Sequence, residues 1–317
     1  MSSATFEPLN RQAESMEEVS ACCICGNRDI KQIDPECNLC RCGRCGYIFD
    51  SPRPRQEEIV AFYSRAEKYD SWLSEQRGRD DLWQRRLTML LPYRAHGNLL
   101  DIGTGIGQFL HHAKPYFIEI EGTEVSQSAC RIAAEKYGIR VLNGKVEELE
   151  LRHGFYNNVT LFHVLEHVPD PEQLVRRCRD LLRPGGVLAI AVPNDVLALG
   201  SLVKRLGRRI GLGPFRKFSR VLGISRSGTS KEIHLSHFTP QVLRILVRNA
   251  GLEIVCEGLD PYYAATGLRK VAHSIYYSVH RALFVVFGVN RYETIWVIAR
   301  KDEERSSPII STPGHAL

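Results

Sequence analysis

The sequence lacks any run of about 18 apolar residues, which a membrane-spanning helix would need. It also lacks the basic and then apolar start of a secretory signal, because its first twenty residues are polar and acidic. We therefore expect a cytoplasmic protein. With 317 residues, 44% of them hydrophobic and 25% charged, the chain can form one large domain with smaller accessory modules.

Acidic residues are missing between Asp195 and Glu232, where basic residues accumulate. The basic residues there are Lys204, Arg205, Arg208, Arg209, Arg216, Lys217, Arg220, Arg226 and Lys231. They exceed the net charge of +6, so the rest of the chain is net acidic. This basic insert predicts contact with an anionic membrane surface or a phosphate-bearing substrate, the alternative being a solvated mobile lid. Few aromatic residues are interleaved with it, so nucleic-acid binding is not expected.

Most of the ten cysteines cluster between residues 22 and 45, a pattern that favours a metal site in a reducing compartment over disulfides. Two Cys-x-x-Cys-Gly pairs, Cys22 with Cys25 and Cys42 with Cys45, have the spacing of a four-cysteine zinc ribbon. The glycine after each pair permits the tight turn whose amides face the sulfurs. We predict a structural zinc ion on these four residues.

Cys37 and Cys40 form a rival pair, but Arg41 follows it in place of a glycine. They remain the alternative ligands. Unliganded buried thiols, a redox pair and an iron–sulfur cluster are the other interpretations of the cluster.

The segment LLDIGTGIG, Leu99 to Gly107, is an apolar strand that breaks into a glycine-rich turn before a helix. Such a turn lets a ligand approach bare backbone near the positive end of the helix. Gln108 occupies the position where a dinucleotide-binding motif needs Gly or Ala, which makes a nicotinamide-dependent oxidoreductase a minor alternative. Glu124 ends the next strand, where a carboxylate can accept both ribose hydroxyls of a nucleoside.

Further motifs follow in order: GKVEEL (144–149), LFHVLEHVPDP (161–171), LLRPGGVLAIAVPN (181–194) and HLSHFTPQVLRILVRNAGLEIV (234–255). Together with the glycine turn they resemble the class I S-adenosylmethionine (SAM)-dependent methyltransferases of types 11 and 23, over about residues 98–257. The resemblance implies an α/β fold: a Rossmann-like, seven-stranded, mostly parallel sheet flanked by helices, with a small N-terminal zinc ribbon.

The resemblance also implies a SAM site. Its predicted residues are Asp101, Gly103, Thr104, Gly105, Gly107, Glu124, Val125, Lys145, Val146, Glu147, Phe162 and His163. Asp101 and the glycine turn would hold the methionine part of SAM. Lys145 stands where the family usually has an acid, so the adenine contact is left open between the backbone at Lys145 and Val146 and the side chain of Glu147.

Methyl transfer is an in-line displacement for which the protein mainly supplies alignment and a dry site. A hydroxyl acceptor also needs a base, for which histidine is suited. Our preferred candidate is His234. The other two are His163 and His167. The family resemblance suggests that His163 lines the cofactor pocket and that His167 caps local structure as often as it reacts, and His237 is interpreted as a structural neighbour of His234.

We predict transfer of a methyl group to oxygen, or to carbon, of a small molecule, a sugar, a nucleotide sugar or a lipid-linked glycan. The zinc ribbon would help to shape the substrate side. The competing interpretation is a non-catalytic SAM-fold scaffold that uses the ribbon to recognise a partner. The apolar segment Ile275–Gly288 is expected to pack on the core rather than to line a substrate channel.

The predicted organisation has five parts. They are a flexible N-terminus (1–19), the zinc ribbon (20–53), a helical substrate-side cap (54–97), the methyltransferase domain (98–301) with inserts at 196–231 and 262–290, and a disordered tail (302–317). Strands are predicted at 98–102, 117–123, 139–142, 158–162, 186–192, 252–257 and 294–299. Helices are predicted within 56–91 and at 107–114, 126–137, 171–182, 239–250 and 272–288.

Overall fold

A computed structural model describes residues 16–35, 38–64, 76–211, 233–261, 263 and 265–303. In chain order the strands are β1 (Met16–Glu17), β2 (Ile30–Asp34), β3 (Leu39–Cys42), β4 (Ile48–Asp50), β5 (Arg53–Pro54), β6 (Leu99–Ile102), β7 (Ile120–Glu124), β8 (Val141–Asn143), β9 (Tyr156–Phe162), β10 (Leu182–Pro193), β11 (Ser236–His237), β12 (Leu252–Gly258) and β13 (Thr294–Lys301). The α-helices are α1 (Gln56–Tyr63), α2 (Gln76–Leu90), α3 (Gln108–Ala113), α4 (Gln127–Tyr137), α5 (Pro171–Leu181), α6 (Leu199–Arg209), α7 (Pro240–Asn249) and α8 (Gly267–Phe287).

The seven predicted α/β strands form one sheet in the order β12-β13-β10-β9-β6-β7-β8. β13 runs antiparallel to both of its neighbours, and the pairings from β10 to β8 are parallel. Every residue of β9 is buried, as expected for a central strand covered on both faces. The predicted seven-stranded, mostly parallel α/β fold is confirmed.

Two flanking helices begin as their sequences predict. The side chain of Asp170 accepts hydrogen bonds from the amides of Glu172 and Gln173 at the start of α5. Thr239 caps α7 in the same way, and a proline follows each capping residue. These caps fix the starts of the helices that pack against β10 and β12.

The cysteine-rich module is a second sheet, of order β11-β4-β3-β2, to which the large domain contributes β11. The hydroxyl of Tyr47 lies 2.5 Å from the Ser236 hydroxyl, and the Asn249 amide donates to the carbonyl of Ile24. Ribbon residues such as Phe49 share one apolar core with Val242 and Leu246 of α7. The ribbon is therefore built into the domain.

Three expectations change. The helix predicted at 272–288 begins at Gly267, and, contrary to core packing, most of its side chains are exposed, with His280 buried. The physical reason is that its apolar residues point away from the sheet. Within the predicted flexible N-terminus, Met16–Glu17 pairs with Arg53–Pro54. The end of the tail, residues 212–232 of the basic insert, and Cys37 lie outside the described residues.

Each helix of the described ranges is too short or too polar to cross a bilayer.

Candidate active site

The chain order of the strands reverses between β6 and β9, which are hydrogen-bonded neighbours. In open α/β sheets, ligands bind in the crevice at the carboxyl ends of the strands at such a point. Gly103 follows β6 there and His163 follows β9. A cleft opens between them, and its wall includes both residues.

The glycine turn has a backbone that other residues would strain. Gly103, Gly105 and Gly107 all have positive φ angles, of 69°, 57° and 79°. A Cβ atom on Gly103 would lie 2.5 Å from Cγ2 of Val164. Gly103 therefore presents bare backbone to the cleft. Any side chain at residue 103 would displace Val164 in the loop that follows β9.

Glu124 ties the turn to the next strand. Its carboxylate accepts hydrogen bonds from the amide of Gly105 at 2.9 Å and from the amide of Ser126 at 3.0 Å. Its side chain is buried, yet it lines the cleft together with Val125. Because a carboxylate can accept several hydrogen bonds, a carboxylate at this position is also suited to accept from a ligand hydroxyl.

Asp101 ends β6 beneath the turn and is 3% exposed. Burial raises the pKa of its carboxyl to about 6, although the hydroxyl of Thr160, which donates at 2.6 Å, and the charge of Arg86 act in the opposite direction. A cationic ligand group beside Asp101 would favour its ionised form.

The cleft brings together almost the whole predicted cofactor set. Its wall includes Asp101, Gly103, Thr104, Gly105, Glu124, Val125, Lys145, Val146, Glu147, Phe162 and His163. Gly107 does not line it. Gly107 instead begins α3, where a Cβ atom would lie 3.0 Å from the side chain of Ala133, so its role is helix–helix packing.

Helices α1 and α2 contribute further walls of the cleft. Tyr63 of α1 and Trp83 and Arg86 of α2 line it, and the sequence alone did not single them out. The Arg86 guanidinium lies 4.8 Å from the centre of the Trp83 ring and 5.3 Å from that of Phe162. The apolar spacing of α2 predicts its helical form but carries no signal for what it covers.

Arg86 makes a buried, two-pronged ion pair with Asp260 of the loop after β12. The distances are 2.9 Å from Nε to Oδ1 and 2.5 Å from Nη2 to Oδ2. Burial would raise the pKa of Asp260, but Arg86 and His163 hold it at about 2. Asp260 thereby presents a fixed negative charge to His163, whose Nε2 lies 3.4 Å away.

His163 also contacts Glu166. Its Nδ1 lies 3.2 Å from Oε1 of Glu166, which is 1% exposed. Burial lowers the pKa of His163, but the two carboxylates beside it outweigh that effect and raise the pKa overall. The imidazole is held between two acids at the end of β9, in a left-handed backbone conformation of φ 58°.

His167, the third residue of a short 3₁₀ turn, faces α1. Its Nδ1 lies 2.8 Å from the hydroxyl of Tyr63 and 2.6 Å from the carbonyl of Ile233. Its Nε2 is 3.7 Å from Glu166. His167 lines the cleft and also joins α1 to the segment that carries His234.

A second cavity lies beside the first and shares His163 with it. Its wall includes Asp195, His234, Ala272, His273 and Tyr276. Nδ1 of His234 lies 3.2 Å from Oδ2 of Asp195, and the same oxygen is 3.7 Å from Nδ1 of His237. Burial would raise the pKa of Asp195, but these two histidines lower it well below its usual range. An ionised carboxylate therefore orients His234.

His237, read from the sequence as a structural neighbour, is 1% exposed and lies 3.0 Å from Asp50 of β4. It links the ribbon to Asp195. His234 itself lines the second cavity, whereas His163 and His167 line the cleft.

The cysteine cluster brings together the four predicted ligands. Sγ atoms of Cys22 and Cys45, and of Cys25 and Cys42, lie 3.5 Å apart, and all four lie within 4.8 Å of one another. Tetrahedral zinc thiolate sites, with bonds of about 2.3 Å, need sulfurs about 3.8 Å apart. Burial raises the pKa of Cys42, but the amides of Cys45 and Arg44 bring it down to about 6. Cys40 instead points its thiol at the carbonyl of Ser51.

In the described residues one other group has ligand atoms within 4.8 Å of one another: Glu166, His167 and His234. Its imidazoles already lie against Ile233, Tyr63 and Asp195.

The chain is similar to known methyltransferases. A family described as a methyltransferase domain matches residues 75–257. An uncharacterized protein of Methanocaldococcus jannaschii is 30% identical over 44% of this chain and 65% of its own length, so the chain spans less than two-thirds of that relative. A ubiquinone biosynthesis O-methyltransferase of Cupriavidus pinatubonensis is 28% identical over 64% of this chain and 80% of its own. The crystal structure of a SAM-dependent methyltransferase of Thermotoga maritima covers 77% of this chain and all of its own at 17% identity, with a TM-score of 0.50, which reflects the fold alone.

Proposed function

The chain belongs to the class I SAM-dependent methyltransferases, and we propose that it transfers the methyl group to a hydroxyl oxygen of a small-molecule acceptor held in the second cavity. The observation that carries this proposal is the position of His163. It lines both the cleft with the glycine turn and the cavity with the Asp195–His234 pair. A cofactor in the cleft and an acceptor in the cavity would therefore meet at one residue.

The cleft has the features that a SAM molecule needs. The bare backbone at Gly103, the ribose-accepting position of Glu124 and the carboxylate of Asp101 line it together. Asp101 would hold the methionine part, and the turn at Lys145, Val146 and Glu147 would lie beside the adenine. When bound there, SAM supplies a methyl group on a sulfonium sulfur, which is already electrophilic.

His234 is the residue best placed to accept the acceptor's proton. Asp195 lies against its Nδ1, which favours the tautomer with Nε2 as the basic nitrogen and would stabilise the imidazolium once the proton has moved. His163, held between Asp260 and Glu166, would orient the acceptor at the boundary of the two cavities. His167 would act through Tyr63 and Ile233, keeping the His234 segment in place.

We propose that the four-cysteine site holds zinc in a closed, structural arrangement. The sulfur spacing and the absence of disulfides among the described cysteines support this assignment. Through β11 the ribbon holds Ser236 and His237, next to the base. Zinc would thus support the substrate side of the site without touching the reaction.

Oxygen is favoured over carbon as the acceptor because the named relative is an O-methyltransferase and because an oriented imidazole suits a hydroxyl. The second cavity is lined by tyrosine and histidine side chains as well as apolar carbon, which suits an acceptor with hydroxyls on an apolar body, including a sugar or a lipid-linked glycan. Residence in the cytoplasm is consistent with the free thiols.

Transfer of tritium from [methyl-³H]SAM to a panel of phenolic, sugar and lipid-linked hydroxyl compounds tests the proposal. We expect label on at least one hydroxyl acceptor, with loss of transfer in His234→Asn and retention of SAM binding. SAM binding with no transfer to any hydroxyl compound, while a protein partner is captured through the ribbon, would favour the non-catalytic scaffold instead.

A further inference from the structure

Helix α8 presents an apolar stripe to solvent. The stripe repeats every three or four residues and consists of Leu268, Val271, Ile275, Val279, Leu283 and Val286. Ile275 is 61% exposed and Leu268 88% exposed. The opposite side of the helix holds it on the domain: the rings of Tyr276 and His280 pack against Tyr292. The helix is therefore anchored on one side and apolar on the other.

Helix α6 has the same design. Leu199, Val203, Leu206 and Ile210, spaced four, three and four residues apart, are all exposed. This helix begins beside the segment that follows α8, because the amide of Leu199 donates to the carbonyl of Arg291 at 2.8 Å. Monomeric soluble proteins rarely expose apolar side chains in such contiguous numbers unless a partner or a membrane covers them.

The sign of the charges on α6 and α8 indicates what covers their apolar faces. No acidic residue occurs from 261 to 292, a stretch that spans α8, or from 196 to 231, a stretch that spans α6. Helix α8 carries Arg269 and Arg281 as well as Lys270, which pairs with Asp81 of α2, and α6 carries Lys204 and Arg209. Apolar faces bordered by one sign of charge are typical of helices that lie in the interface of an anionic bilayer.

We propose that α6 and α8 form a lipid-binding face that docks the protein on bilayers with anionic headgroups. The apolar side chains enter the acyl boundary while the bases contact the headgroups. Burial of the stripe supplies affinity in proportion to the apolar surface removed from water, and the bases make that affinity dependent on salt.

The face has a consequence for the acceptor. Ala272, His273 and Tyr276 of α8 line the second cavity, so the helix that meets the bilayer is also a wall of the proposed acceptor site. An acceptor carried in the membrane could then reach His234 without entering bulk water. This consequence rests on the proposed methyl transfer, whereas lipid binding does not.

Sedimentation of the full chain with vesicles tests the face. We expect binding to phosphatidylcholine vesicles that contain phosphatidylglycerol, weak binding to phosphatidylcholine alone, and weaker binding as salt rises. The double variant Ile275→Asp/Val279→Asp should lose at least tenfold in affinity. Ile118→Asp is the control, because Ile118 is 69% exposed but lies before β7, four strands away from β13 in the sheet.

Calorimetry measures SAM binding by each variant in the absence of vesicles. Unchanged SAM affinity shows that a variant is folded, and this measurement tests the proposed function separately from lipid binding. The lipid proposal is overturned if the unaltered protein ignores anionic vesicles, if it binds both vesicle types equally, or if the double variant binds as well as Ile118→Asp. It is also overturned if light scattering shows a dimer that Ile275→Asp/Val279→Asp dissociates, since a second copy would then cover the face.

Discussion

Nδ1 of His234 lies 3.2 Å from Oδ2 of Asp195, a carboxylate that His237 also approaches. One acid therefore orients the proposed base and connects it, through His237, to Asp50 of β4 in the cysteine-rich module. A chain of polar contacts thus runs from His234 through Asp195 and His237 to Asp50 of the cysteine-rich module.

Loss of the base should reduce turnover but leave the cofactor site intact. We expect His234→Asn to lower kcat by roughly 10²- to 10⁴-fold, the usual contribution of a general base, with the SAM dissociation constant within about twofold. Asp195→Asn should lower kcat less. Steady-state kinetics with an acceptor compound that becomes labelled in the tritium assay provides the measurement. His153→Asn, at a histidine outside both cavities, is the control, and equal kcat values for it and His234→Asn would refute the assignment.

The cysteine assignment separates two thiols of the same module. Cys42→Ser should remove most of the bound zinc and, by loosening the ribbon, lower the free energy of unfolding by several kcal/mol. Cys40→Ser should retain one zinc per chain, because its thiol contacts Ser51 rather than the other sulfurs. Elemental analysis and thermal unfolding give the answer. If Cys40→Ser lost its zinc while Cys42→Ser kept it, the zinc ligands would include the rival pair Cys37 and Cys40.

Replacing only one partner of the buried ion pair between Arg86 and Asp260 should strongly lower the free energy of unfolding. Arg86→Met leaves the buried Asp260 carboxylate with His163 but without the guanidinium, and we expect the free energy of unfolding in urea to fall by about 3–5 kcal/mol. Arg176→Met, at the exposed pair with Glu172, should cost less than about 1 kcal/mol. Replacing both partners, in Arg86→Met/Asp260→Leu, should recover part of the loss. If the buried and exposed variants lost equal stability, the buried pair would not anchor the loop after β12.

SAM affinity should depend on pH through Asp101. Burial raises the pKa of its carboxyl to about 6 in the free protein, and a cationic amino group beside it favours the ionised form. Below pH 6 binding must release a proton, so affinity should fall by up to tenfold for each pH unit, while above pH 7 it should be flat. Titration calorimetry across this range measures the effect. Asp101→Asn should bind weakly with little pH dependence, and an unaltered pH slope in that variant would assign the proton to another group.

Local sequence motifs were sufficient to predict most residues of the proposed SAM site. The glycine turn, Glu124 and the residues after β9 each have a short-range signal, because their chemistry depends on backbone that neighbouring residues determine. The Arg86–Asp260 pair joins residues 174 positions apart, and its geometry follows from how α2 packs, which no local pattern encodes.

Helix α8 shows a different limit. Its apolar periodicity predicts a helix with one apolar face, and we expected that face to pack on the core. The structure turns it outward, because Tyr276, Tyr277 and His280 supply the inward contacts instead. Periodicity establishes that a face exists but not which surface covers it. The contribution of β11 to the ribbon sheet was likewise beyond local signals, since two residues carry it.

We propose that the cleft at the glycine turn binds SAM through Asp101 and Glu124, and titration calorimetry of SAM with three proteins measures this. We expect measurable binding to the unaltered chain and losses of about tenfold or more in both Asp101→Ala and Glu124→Ala, because each substitution removes charged hydrogen bonds worth about 1.5–3 kcal/mol. Circular dichroism shows whether the variants are folded. Unchanged SAM affinity in both folded variants would show that SAM binds elsewhere.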